Sequence, residues 1–171
     1  SIGANATITN TDQDDSSTSA ISTGSQDIIL DEQNVIDSAV NLSVDTIRVT
    51  DDNIADTLKL LMGAKTFTVE ETIVNAAGDT LLITLDDEGA STLDLQGAVT
   101  GVAANDVDFV AEATTTIKLS SDVTYDANFD GAGTLQATAA AAIASEQIGA
   151  GIAMGVLDVD GQLTSTSTIA V

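Results

Sequence analysis

The sequence predicts a mainly β protein, an antiparallel β-sandwich or jelly roll carrying one or two short helices, at 52–62 and 138–148. Three observations predict it. The 171 residues include 24 Thr, 15 Ile and 14 Val, the β-branched side chains that favour pleated surfaces over helices. Short segments alternate apolar and polar residues, with turn residues every 8–12 positions, the pattern of many short strands. Finally, acids are mostly Asp, 21 against 6 Glu, which suits turns and caps better than charged helices. Aromatics are only Phe67, Phe109, Phe129 and Tyr125, so the core must be built from Ala, Val, Ile and Leu.

Residues 1–10 alternate weakly, and 11–25 form a Ser/Thr/Asp tract too polar to offset its own ordering entropy. This divides the chain into 1–25, a strand plus polar tether and a candidate donor strand, and 26–171, the sandwich domain. In 39–50, Val40, Leu42 and Val44 share one face, while Ile47 and Val49 take the other parity. That switch predicts a bulge near Asp45-Thr46. Ile54, Leu58, Leu61 and Met62 at helical spacing, an Asp at 51 or 52 as cap and Gly63 as terminator predict the helix over 52–62. Strands joined by hairpin turns are expected at 66–74, 80–85 and 91–95, then at 106–110, 114–119 and 122–125. The Ala-rich run 138–148, ended by Gly149, predicts the second helix, and strands close the chain at 155–159 and 162–171. No strict internal period marks a solenoid, although turns of acid, Gly, then Leu recur in DDEGASTL, DANFDGAGTL and DVDGQL.

Charge narrows the function. With 27 Asp or Glu against 4 Lys or Arg, the formal net charge is −23, a surface that repels nucleic acid and anionic lipid and attracts cations. There is no His and no Cys, so imidazole bases, thiolate nucleophiles, Cys/His zinc sites and disulfides are excluded. Carboxylate pairs such as Asp86 with Glu88, or Asp106 with Asp108, read as solvated faces, and we expect no enzyme. The longest apolar stretch, 137–157, is interrupted by Ser145, Glu146 and Gln147, so no membrane span is expected. A sequence opening at Ser1 is read as a processed N-terminus and, with the composition, as an extracellular or cell-surface protein.

The sharpest local motif is Asp126-Ala127-Asn128-Phe129-Asp130-Gly131. Alternating oxygen side chains followed by Gly suit a tight calcium loop. Over these six residues it resembles the calcium loops of EF-hand and dockerin-like proteins, which implies Asp126, Asn128 and Asp130 as calcium ligands, helped by the carbonyl of Ala132. The twelfth position departs from that pattern, being Ala137 where an EF-hand has a bidentate Glu. Asp158 and Asp160, in Asp158-Val159-Asp160-Gly161, form a weaker candidate that a turn also explains. Asp14-Asp15-Ser16-Ser17-Thr18-Ser19 resembles the calcium signature of βγ-crystallin-type modules, and Asn5 and Asn41 open glycosylation sequons. Gly149 to Gly155 contains G-x-G but lacks the third Gly of a dinucleotide fingerprint, and reads as close packing or a joint.

In being rich in Thr, Ala, Val and Asp and poor in Lys, Cys and His, the chain resembles prokaryotic extracellular filament and surface-layer proteins. The resemblance implies a structural, self-assembling subunit of a filament, sheath or surface layer whose partners are copies of itself. It would polymerise by pilus-like β-strand donation between subunits, the N-terminal strand completing a neighbour's sheet. The alternative is a calcium-binding adhesin or virion-decoration type β module.

Overall fold

Apolar and polar residues do alternate along the strands, but each strand pairs with the one a full coil away rather than with its neighbour in sequence. The computed structural model describes residues 6–10, 28–30, 33–38, 41–49, 55–75, 80–86, 89–101, 106–144 and 147–171. Two strands precede the coils, β1 (Ala6–Asn10) and β2 (Ile28–Leu30). The first coil holds β3 (Gln33–Ser38) and β4 (Leu42–Val49), and the second β5 (Asp56–Leu61) and β6 (Thr66–Val74). The third holds β7 (Leu81–Leu85), β8 (Thr92–Leu95) and β9 (Ala98–Thr100), and the fourth β10 (Val107–Ala111), β11 (Thr116–Leu119) and β12 (Thr124–Tyr125). In the fifth come β13 (Asn128–Asp130), β14 (Thr134–Ala137) and β15 (Ala140–Ile143), and a last partial coil carries β16 (Val156–Val159) and β17 (Gln162–Ser165).

Coil on coil, these strands build two sheets. One runs β1-β3-β5-β7-β10-β13; the other has eleven strands in two arms, with β6 long enough to pair with β8 in one arm and β9 in the other. Every strand pairing among the described residues is parallel except that of β1 with β3. The fold is therefore a parallel β-solenoid of about five turns, not an antiparallel sandwich or jelly roll. The reason for the correction is physical: alternation reports one buried face, and that is usually the mark of an antiparallel sheet. A solenoid buries one face of a parallel sheet and so writes the same pattern.

Its core is a set of columns, one residue per coil, with strands about 4.8 Å apart. Leu42, Phe67, Leu93, Ile117, Leu135 and Leu157 make one column. Leu58, Ile83, Phe109, Phe129, Ile148 and Ile169 make another. In that second column the Phe109 and Phe129 rings stack at 5.2 Å and 7°, because parallel register places like residues one coil apart. The column residues from Leu42 to Leu135 and from Leu58 to Ile148 are at most 3% exposed.

Both expected helices are strands. In β5, Leu58 and Leu60 point inward with Met62 beyond them, all 1% exposed, while Thr57, Lys59 and Leu61 face outward: the real period is two. Pairing with β3 and β7 fixes that choice, and the helix expected from 52 to 62 does not form; its residues 52–54 lie outside the described residues. The 138–148 helix is likewise replaced by β15, held between β12 and β17, so ladder pairing outweighs alanine's helix propensity. Gly63, expected to end a helix, has φ +54° and instead follows β5 before the chain enters β6. The Cβ of a side chain at Gly89, one coil on, would lie 2.9 Å from the Gly63 carbonyl carbon, so the two turns stack backbone on backbone.

The expected bulge is present: the β4–β6 register shifts between Val44 and Thr46, and Thr46 and Ile47 are both buried where the chain passes from one arm to the other. The expected hairpins are not. β7 and β8 belong to different sheets, and the chain segments between strands turn coil corners. Coil length explains why no period is legible: paired residues lie 18 apart from Ile117 to Leu135 but 26 apart from Phe67 to Leu93.

Candidate functional site: the open C-terminal coil

The sequence-derived calcium residues lie on or beside strands rather than in one loop. Asp126 directly follows β12, and its N–H donates to the Val99 carbonyl at 3.0 Å. Asn128 and Asp130 begin and end β13, on either side of the inward-facing Phe129. Residues two apart on a strand are about 6.6 Å apart along it, so Asn128 and Asp130 are spaced along β13, with Asp126 ahead of it. They are also engaged. Asn128 Nδ2 donates to Asp108 at 2.6 Å, and its Oδ1 accepts the Gln147 N–H at 3.0 Å. Asp130 Oδ1 accepts the N–H groups of Gly151 and Ile152 at 3.0 and 3.4 Å, tying β13 to the coil that follows it.

Asp158 and Asp160 are brought together, through Gln136. Its Nε2 donates to Asp158 at 3.0 Å and to Asp160 at 3.4 Å. Gln136 and Asp158 are the last steps of an outward ladder, Ser43, Thr68, Asp94, Lys118, Gln136, Asp158, running the length of the solenoid. Asp94 is 8% exposed and accepts from Ser120 Oγ and Gln96 Nε2, with Lys118 Nζ at 3.7 Å. Among the described residues no group of three or more acidic side chains is gathered to hold a metal ion. Asp14 to Ser19 and Asn5 lie outside the described residues; Asn41 Oδ1 accepts the Thr66 N–H at 3.0 Å, bridging the first two coils.

Tyr125 is a buried titratable group with a displaced pKa. It continues the column Ile47, Ile73, Val99 toward Ile143, and its hydroxyl donates to the Leu95 carbonyl at 3.1 Å while accepting the Ser121 N–H at 3.4 Å. Burial pushes its pKa up from 10.0, because the phenolate would lose its hydration. Both of its bonds close a corner of the fold, which makes it a structural tyrosine.

What the sequence did not single out is the C-terminal end. The large apolar side chains exposed among the described residues, Ile152, Val156, Val159, Ile169 and Val171, all belong to the last coil. Two of them occupy inward positions: Val159 lies under Ala137 and Ile169 under Ile148, yet they are 44% and 45% exposed, with no further coil over them among the described residues. Leu157 and Leu163 continue the core columns and are only partly buried. β16 pairs with β14, and β17 with β15, each along one edge; among the described residues no strand takes the other edge. This end is also nearly neutral. Residues 147–171 hold two of the 27 acids, Asp158 and Asp160, and none of the four bases.

These features define a parallel β-solenoid of about five turns. Compared with known proteins, the chain matches no family model, no curated protein and no solved structure. No helix among the described residues is long and apolar enough to cross a membrane.

Proposed function

We propose that the chain is a structural, self-assembling subunit of an extracellular filament, sheath or surface layer, whose copies join by pairing β-edges. The N-terminal strand carries this reading: among the described residues β1 is the one antiparallel addition, laid on β3. The same ladder can form with β3 of a neighbour, which is strand donation.

The charge of −23 sets the conditions. Acidic flanks repel at low ionic strength, so assembly should increase with salt or calcium as the screening length falls to about 8 Å near physiological ionic strength. Electron microscopy of the purified protein, with a concentration series in light scattering at low salt, high salt and with calcium, tests the reading. Ordered assemblies favoured by salt or calcium are expected. A monomer at every concentration and in every ionic condition would overturn it.

A further inference from the structure

We infer that β1 is an exchangeable cap: it closes the β3 edge of its own subunit in the monomer and that of the next subunit in the assembly, so that its release in cis gates polymerisation. This rests on the assembly reading above and specifies what regulates it. The other described strands run parallel to their partners and are wound into place coil by coil. β1 runs against that winding, stands at the end of its sheet and pairs with β3 alone. Lifting it off breaks one ladder and leaves the parallel order of β3, β5 and β7 intact.

The edge beneath β1 suits such a release. Two of the three buried inward residues of β3, Asn34 and Ser38, are polar, where the next coil buries Leu58 and Met62. Uncovering β3 therefore brings Ile36 to water between two side chains that water solvates well.

Reach allows the exchange. In cis, Asn10 pairs with Asn34, which follows Ile28 by six residues, so the span to close is at most about 25 Å at about 3.3 Å per residue. Seventeen residues lie between Asn10 and Ile28, at most about 60 Å of chain. That is more than twice the cis span, and more than the roughly 24 Å of five stacked coils. Cis and trans ladders consist of the same five residue pairs, so concentration decides between them. A tethered strand meets its own edge at a roughly millimolar effective concentration, a range that packed subunits also reach. Charge sets the threshold: residues 11–37 hold seven acids and no Lys or Arg, so a second head approaches like charge with like, and salt shifts β1 from cis to trans.

The chain has no Cys, so an introduced pair is the only disulfide available. Thr7 pairs with the exposed Asp37, and paired residues of an antiparallel ladder have Cα atoms about 4.5–5.5 Å apart, within disulfide range. Thr7→Cys with Asp37→Cys, oxidised as a dilute monomer at low salt, locks β1 in cis. By light scattering at high salt the locked protein should assemble at least about tenfold less than the same protein reduced, and reduction should restore it. Oxidised after assembly, the variant should give a covalent ladder of dimers, trimers and longer species on a non-reducing gel. Thr9→Cys with Val35→Cys, the neighbouring pair, repeats both measurements, and circular dichroism of each reduced form checks its fold.

A locked protein that assembles as readily as the reduced one, or assemblies whose oxidation yields only covalent monomers, would overturn the exchange and leave self-assembly standing. Covalent dimers and nothing longer would overturn it too, since a closed swap ends growth. A chain that stays monomeric in every condition would remove both.

Discussion

At one end of the solenoid Leu30 is fully buried; at the other, Ile169, an isoleucine at an equally inward position, is 45% exposed. The two residues differ little in chemistry, so the difference lies in what stands over them. A solenoid coil draws its stability from its own side chains and from the coils on either side. Among the described residues Ile169 is bridged on one side only, to Ile148. Stability should therefore be graded along the axis, lowest in the last described coil.

The largest expected contrast is between those two residues. Leu30→Ala should cost about 2–5 kcal/mol, as for a buried leucine leaving a cavity, whereas Ile169→Ala should stay within about 0.5 kcal/mol in the monomer. Urea unfolding at low salt and low concentration measures both, and equal losses would break the comparison. Midway in size is Asp130→Ala, which removes the acceptor for the Gly151 and Ile152 N–H groups. A loss of about 1–2 kcal/mol is expected, and hydrogen exchange should speed up at those two amides while head amides keep their protection.

Tyr125→Phe probes the middle of the axis and should cost about 1–2 kcal/mol, since the Leu95 carbonyl loses its side-chain donor. It also has a pH signature. The folded pKa lies above the unfolded 10.0, so the tyrosine's contribution is complete below about pH 10 and is lost as pH rises through the folded value. Tyr125 is the only tyrosine, so Tyr125→Phe should abolish its share of alkaline destabilisation, read as melting temperature from pH 9 to 12. The smallest effect belongs to Lys59→Ala. Its contact with Asp86 lies at the surface, and the change should stay within about 0.5 kcal/mol by thermal melting.

Part of this was legible in the residues. The Val44 to Ile47 parity switch marks the bend between the two arms, and the recurring turns of acid, Gly and Leu are coil corners: Gly89 and Gly131 stand four residues before Leu93 and Leu135, and Gly63, read from sequence as a helix end, stands four before Phe67 in the same column. Loops of different length hid that spacing. Leu58, Leu60 and Met62 spelled a strand as clearly as Ile54, Leu58 and Leu61 spelled a helix, and local pattern alone did not decide between them. Of the site, Asp130 and Asp158 were legible as polar residues near turns. Their partners, Gly151, Ile152 and Gln136, were not, being 21 and 22 positions away in sequence.

By itself the sequence determined a β chain with small apolar columns, acidic turns and no imidazole or thiol chemistry, because side-chain type and alternation are local properties. Tertiary structure decided everything that depends on which strand lies next to which. Parallel pairing across coils of unequal length, alanines in a strand, and an isoleucine exposed at an inward position all follow from long-range stacking. How exposed an inward residue is depends on the coils beside it, and no residue carries that information alone.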